Sequence, residues 1–387
     1  MSTRREFLKQ VGILGTTALV SQAAYKTGFT REEQTIPDVE KVFTVPMEKA
    51  VHLVPPKQVI TIPDVDGFKV LKGDFHMHTI FSDGRVWPGE RVVDAVGNGL
   101  DVISITDHIE YRPHIGGKGL QLKDRNDDYN IWYDYAKETA EKQKLILVHG
   151  AEITKSKLPP GHFNALFIKD VNPIAGVQND INKMFEETVK QGGFLQWNHP
   201  GWGGQLPKGT PLTFFPQHEE FFRNGFLHGI ETFNGKEFYP SVCQWCESKD
   251  LAVIANSDIH GSEFETYGVR NSLRPMTLIL AKERTYDSIK EAFFAKRTIA
   301  SAAGMIIGRE KWVKPLFKAC VEIRKEGGKG RLVNKSSLPM TIAYAEQTVK
   351  LGPLGTSELQ LTAAESKLCV VNWCTIGSKS LVVDIEV

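Results

Sequence analysis

The sequence predicts an α/β protein, a seven-stranded (β/α) barrel followed by a small C-terminal β-sandwich. From Val70 onward short apolar runs alternate with amphipathic stretches, histidines and carboxylates recur where those runs end, and beyond Gly304 the texture changes to short segments of alternating polarity.

The apolar runs read as buried strands at residues 73–78, 102–106, 145–149, 164–168, 193–197, 229–233 and 252–256. Between several of them, residues 88–98, 129–143, 178–190, 216–223 and 237–249 carry apolar side chains at helical spacing behind plausible start signals. Such alternation argues for a parallel sheet, and closing it into a barrel buries both of its faces. A further strand and helix, 276–280 and 286–295, complete a domain assigned to 70–303. Residues 317–324, 340–345, 358–361, 368–373 and 380–387 read as the strands of an antiparallel sandwich, assigned to 313–387.

The segment ahead of the barrel has a different character. Arg4-Arg5 is followed by an apolar stretch, Val11 to Val20, and by the small-residue run Ser21-Gln22-Ala23-Ala24. That order is the pattern of a twin-arginine export signal, assigned to 1–24, with cleavage expected near Ala23 or Ala24. The apolar stretch is shorter than the roughly 20 residues a membrane span needs. The expectation is therefore an exported protein, periplasmic or extracellular, with no membrane span after signal cleavage. Residues 25–69, with scattered prolines and little periodicity, read as a linker.

Composition narrows the partners. With 41% hydrophobic and 24% charged residues and a formal net charge of +1, the chain is an ordinary globular protein with no basic run to serve as a nucleic-acid patch. The cysteines are Cys243, Cys246, Cys320, Cys369 and Cys374. Cys243 and Cys246 share one helix face and read as packing residues, whereas Cys369 and Cys374 can pair in an oxidising compartment.

The chemistry lies where the strands end. His76 and His78 are two apart and project from one face of an extended segment; Asp83 follows in a Ser-Asp-Gly turn. His108 ends Thr106-Asp107-His108, Glu152 follows His149-Gly150-Ala151, His199 lies in Asn198-His199-Pro200, and Asp258 and His260 stand again two apart. A lone histidine on an apolar strand is more often a satisfied core residue than a ligand. Ligand-type residues at the same end of strand after strand are another matter, because barrels assemble their sites there. Nitrogen and hard oxygen donors without thiolate suit Mn, Fe or Zn. Glu152, following a central strand, is the expected bridge between ions.

In this order the motifs His-x-His, Ser-Asp-Gly, Gly-Leu-Asp-x-Ile-x-Ile-Thr-Asp-His, Gly-x-Glu, Asn-His-Pro and Ser-Asp-x-His resemble the PHP phosphoesterase family (polymerase and histidinol phosphatase) over roughly residues 70 to 303. The resemblance implies a distorted seven-stranded barrel of PHP type, with His76, His78, Asp83, His108, Glu152, His199, Asp258 and His260 as metal ligands. It adds His162, in Gly161-His162-Phe163-Asn164, as a further one. More narrowly, the segment from Thr106 to His114 and the appended β domain resemble the exported bacterial Sb-PDE family phosphodiesterases, which implies phosphodiesters as the substrate class.

The mechanism expected from this reading uses two or three divalent metal ions and a hydroxide between them that attacks phosphorus in line. Counting Asp83, Glu152, Asp258 and the hydroxide as four negative charges, only three divalent ions leave the centre net positive toward an anionic ester. Asp258, Glu152 and His260 carry the chemistry, with Asp258 as proton acceptor. Arg112, His114 and Arg85 are expected to contact phosphate from neighbouring loops. The alternatives are a phosphomonoesterase or polymerase-type exonuclease of the same fold, and a non-catalytic metal-containing protein that binds partners through its C-terminal domain.

Overall fold

The computed structural model describes residues 59–387 apart from 117–118, 123–124, 207, 268–273, 327, 363–365, 378 and 386–387. The export signal and most of the expected linker lie outside the described residues. Of the linker, Thr61 exchanges hydrogen bonds with Ser337, its N–H donating to Ser337 Oγ (2.9 Å) and its carbonyl accepting from Ser337 N (2.8 Å).

The expected strands form, in order: β1 (Lys69–Asp74), β2 (Val102–Ile105), β3 (Ile146–Thr154), β4 (His162–Leu166), β5 (Phe194–Trp197), β6 (Gly229–Asn234) and, after the two-residue β7 (Glu237–Phe238), β8 (Ala252–Asn256). Most are buried along their whole length, as in a sheet covered on both faces. The intervening helices include α1 (Pro88–Gly97), α2 (Ile131–Gln143), the single turn α3 (Asn172–Ala175), α4 (Ile181–Lys190), α5 (Pro216–Arg223) and α6 (Pro240–Ser248). Their starts follow local chemistry. Proline stands in the first turn of α1, α5 and α6, where its missing N–H costs nothing, and Asp180 caps α4 by accepting from Asn182 N and Lys183 N.

Two features differ from the simple parallel barrel. First, the ladder does not close. β1, β2 and β3 are parallel neighbours, as are β5, β6 and β8, but β8 meets the segment after β1 only through an isolated Met77–Ile259 bridge and hydrogen bonds such as Asp258 N to His76 O (2.9 Å). The other edge of β1 is taken by the antiparallel β9 (Met276–Ala281), so the sheet runs on instead of curling shut. Second, β4 is antiparallel to both neighbours. β3 serves two partners, with residues 146–149 paired to β2 and 150–154 to β4. Gly150 sits at the change, where a Cβ would lie 2.4 Å from Ser104 Oγ.

After α7 (Glu263–Tyr267), β9 and α8 (Tyr286–Phe294), the chain forms β10 (Thr298–Ala302), β11 (Met305–Gly308) and α9 (Glu310–Cys320). The expected strand from residue 317 is a correction: its first residues finish α9, whose buried face of Val313, Leu316, Phe317 and Cys320 follows helical spacing. The remaining strands are β12 (Val321–Glu326), β13 (Lys329–Asn334), β14 (Met340–Tyr344), β15 (Gln347–Leu351), β16 (Thr356–Gln360), β17 (Lys367–Thr375) and β18 (Ser380–Asp384). They do not make a detached layer pair. β14, β15, β17 and β18 extend the main sheet, since β17 pairs parallel with β11, and only β12, β13 and β16 form a separate sheet. Cys369 and Cys374 both lie on β17 as free thiols, and Cys243 and Cys246 are buried on α6.

Candidate metal centre

Every side chain expected as a metal ligand reaches the same rim. His76 and His78 follow β1, His108 follows β2, Glu152 lies in the second half of β3, His199 follows β5, and Asp258 and His260 follow β8. His162 is the exception that explains the antiparallel strand. It stands at the start of β4, and only because that strand runs against its neighbours does its first residue share a rim with their last ones.

Glu152 is at the middle. Its Oε2 lies 3.2 Å from His76 Nε2, 3.3 Å from His78 Nε2 and 2.9 Å from His108 Nδ1; its Oε1 lies 2.9 Å from His162 Nδ1 and 3.7 Å from His199 Nε2. Asp258 Oδ1 is 3.3 Å from His76 Nε2 and 3.0 Å from His78 Nε2, and its Oδ2 is 3.9 Å from His199 Nε2. Asp83 Oδ1 is 3.4 Å from His108 Nε2 and 3.2 Å from His260 Nε2. Donors bound about 2.1 Å from one ion at tetrahedral or octahedral angles stand roughly 3.0 to 3.4 Å apart, so most of these spacings are those of atoms sharing a cation.

Three convergent groups result: His78, Asp83, His108 and His260; His76, Glu152 and His199; and His76, His78 and Asp258, each with ligand atoms within 4.8 Å of one another. His162 belongs to none of them and approaches Glu152 from outside. His78 Nε2, His162 Nδ1, His199 Nδ1 and Asp258 Oδ1 are buried without a hydrogen-bond partner. Among the described residues no lysine or arginine pairs with Asp83, Glu152 or Asp258, whose ionic partners are all histidines. Buried carboxylates and orphaned ring nitrogens with no fixed cation are the donor set a metal cluster would satisfy. The residues fit divalent ions.

Against the pull of burial, the carboxylates hold His76, His108, His199 and His260 above the usual imidazole range, so with no ion bound these rings carry the balancing positive charge. Burial pushes the Glu152 and Asp258 carboxyls up, but His108, His76 and His162 around the first, and His76, His78 and His199 around the second, hold both well below the usual carboxylate range. Burial, together with His260 and His108, pulls His78 down to about 3, which leaves its ring neutral and able to ligate.

Several residues that complete the site were not singled out from sequence. Glu231, buried on β6, accepts from His76 Nδ1 (2.9 Å), His199 N (2.7 Å) and the amides of Gln196, Asn234 and Asn256. It turns His76 Nε2 toward the cluster and adds a fourth carboxylate to the three counted above. A glutamate inside the apolar run 229–233 was the available signal. Asp107 faces away from the cluster and fixes the Asp83 turn through Thr79 N (2.7 Å) and Ser82 Oγ (2.5 Å). Buried Arg91 donates to His78 O (2.9 Å) and Gly261 O (2.8 Å), tying the two His-bearing loops together. His199 and Asp258 have left-handed backbones, φ 25° and 52°, a strain that non-glycine residues carry at sites where the surroundings dictate the conformation.

The residues expected to contact phosphate make the following contacts within the chain. Arg112 donates to Phe81 O (3.3 Å) and Asn126 O (2.8 Å) and lies over Tyr129, while its Nη2 is buried without a hydrogen-bond partner. His114 contributes its carbonyl to Leu120 N. Arg85 pairs with Glu265 at 3.0 Å on the surface, and its N–H donates to His260 O (2.8 Å).

A two-domain protein containing a predicted PHP-like metal-dependent phosphoesterase, from Bacteroides vulgatus ATCC 8482, is similar over 86% of this chain and 100% of its own, at 36% identity and a TM-score of 0.78. The chain therefore belongs to the PHP-like metal-dependent phosphoesterases. A chain assigned as a metal-dependent phosphoesterase from Bifidobacterium adolescentis ATCC 15703 overlaps 58% of this chain and 96% of its own at 18% identity and a TM-score of 0.39. An amidohydrolase from Chromobacterium violaceum overlaps 51% of this chain and 89% of its own at 14% identity and a TM-score of 0.37. Neither of these two overlaps is close enough to bear on function. No protein-family model matches the chain, and no curated protein does. No helix among the described residues is long and apolar enough to cross a membrane.

Proposed function

We propose that the protein hydrolyses phosphodiesters of small molecules at a three-metal centre held by His76, His78, Asp83, His108, Glu152, His199, Asp258 and His260, with His162 as an outer ligand. The observation that carries this reading is the set of carboxylates at the rim, buried or half-buried among histidines and, among the described residues, paired with no arginine or lysine. Bound divalent ions, Mn, Fe or Zn, would supply Lewis acidity toward the phosphoryl oxygens and an activated water.

The chain's own residues set the geometry. Glu152 holds two groups of histidines in register through its two oxygens. His260 donates Nδ1–H to Asp258 O (2.9 Å), which leaves Nε2 as the ligating nitrogen. Asp258, whose Oδ1 lies 3.0 Å from His78 Nε2 and 3.3 Å from His76 Nε2, would take a proton from the incoming water. We further propose that Arg4-Arg5 and the apolar stretch behind it direct export, and that residues 313–387 brace the barrel through β11 and β17.

The test is hydrolysis of bis(p-nitrophenyl) phosphate against p-nitrophenyl phosphate by the Mn-reconstituted protein, with His78→Ala as control. Faster diester cleavage that disappears in the variant supports the proposal. Preference for the monoester moves the activity to a phosphatase, and no cleavage of either contradicts it.

A further inference from the structure

Two aromatic rings stand beside the ligand histidines with their outer faces uncovered. Tyr111 is 52% exposed and its ring lies 6.0 Å from that of His108; Trp202 is 43% exposed and its ring lies 5.3 Å from His199 and 5.9 Å from His162. His108 and His162 are themselves neighbours at 5.9 Å, so the aromatic rings bracket one side of the centre.

Isolated exposed aromatics are ordinary on protein surfaces. This pair differs in its placement and in how one member is held. Trp202 follows the ligand His199 by three residues, and its backbone N–H donates to His199 O (3.0 Å), so one turn carries both residues. Its six-membered ring lies against Gly204, where a Cβ would come within 2.4 Å of Cζ2. A larger residue at 204 would push the indole out of this position. Its inner edge meets the histidines and its outer face is left to solvent.

Resting on the phosphoesterase reading above, we infer that Tyr111 and Trp202 select phosphodiesters that carry a planar aromatic or heteroaromatic ester group, which stacks on them while the phosphate occupies the cluster. A flat π-face needs no hydrogen-bond partner, so the rings accept an aryl group or a nucleobase alike.

The test measures equilibrium binding of phenylphosphonate and methylphosphonate, which the enzyme cannot hydrolyse, to the Mn-loaded protein by calorimetry. The wild type should bind the phenyl compound roughly ten-fold more tightly. That ratio should fall to near one in Trp202→Ala and in Tyr111→Ala and persist in Trp202→Phe, which keeps a ring and guards against loss of fold. Uridine 5′-monophosphate against ribose 5-phosphate, run alongside, tells a nucleoside from a simple aryl group. Equal wild-type affinities, or a ratio unchanged in both alanine variants, overturn the inference and leave the phosphoesterase reading standing. Failure of the wild type to bind either phosphonate overturns the reading of the site itself.

Discussion

Glu231 Oε1 lies 2.9 Å from His76 Nδ1, while His76 Nε2 faces Glu152 Oε2 at 3.2 Å and Asp258 Oδ1 at 3.3 Å. One ring is thus held by a carboxylate on its far side and offered to two on its near side. A carboxylate behind a metal-bound histidine fixes the tautomer and raises the basicity of the ligating nitrogen. Glu231→Gln should lower metal affinity roughly ten- to hundred-fold in a chelator competition while leaving the fold intact. Wild-type affinity in the variant would show that Glu231 is a packing residue only.

Beneath the centre, buried Arg274 is clamped between Asp74 and Glu263 (2.6 Å), and Asp74 in turn accepts from Ser257 N (3.2 Å) next to Asp258. Removing its guanidinium takes from two buried carboxylates the ion-pair partner they share. Arg274→Met should cost about 3–5 kcal/mol in urea unfolding of the metal-loaded protein. A cost below about 1 kcal/mol would mean that water reaches this triad.

His218 supplies part of the pH dependence that is independent of metal, beside His149 and His228, which burial also pulls down. It is stacked 3.7 Å from Trp197, and burial pulls its pKa down to about 3 despite the Nε2–H donated to Pro160 O (2.8 Å). The unfolded ring takes up its proton near about 6.5, so between these values the unfolded chain binds more protons and stability falls as pH falls. From neutral pH to about pH 5 the loss from this residue is about 2 kcal/mol. At saturating metal, His218→Gln should lose that much less than the wild type over the same range. Parallel stability–pH curves for the two proteins would refute the assignment.

Much of this site could be read in the sequence because strand ends concentrate function. His76 and His78 stand at the end of an apolar run, His108, Glu152, His199, Asp258 and His260 follow one within four residues, and alternation places those runs side by side. What could not be read is what depends on strand direction and on contacts distant in the chain. The antiparallel course of β4, which carries His162 to the rim, leaves no mark in an all-buried run of five residues. Nor does local patterning show that β9 takes the edge of β1 that a closed barrel would need. Nothing in the local sequence sets Arg91 apart from other charged residues on a helix; its role emerges only when the loops after β1 and β8 both accept from it. Phe317 and Cys320 have the spacing of either a strand or a helix end, and α9 claims them because its buried face continues through them.

The outer position of His162 makes a graded prediction. His162→Ala should reduce metal content by no more than one ion per chain and keep measurable activity, whereas His78→Ala, which removes a ligand shared by two of the three groups, should remove both. Equal losses from the two variants would place His162 inside the cluster.

The most direct test is elemental analysis of the purified, Mn-reconstituted protein beside Glu152→Ala. Three ions per chain in the wild type, falling to one or none when the central carboxylate is removed, is the predicted result. One ion or fewer in the wild type, or a count that Glu152→Ala leaves unchanged, would contradict a shared metal centre built around Glu152.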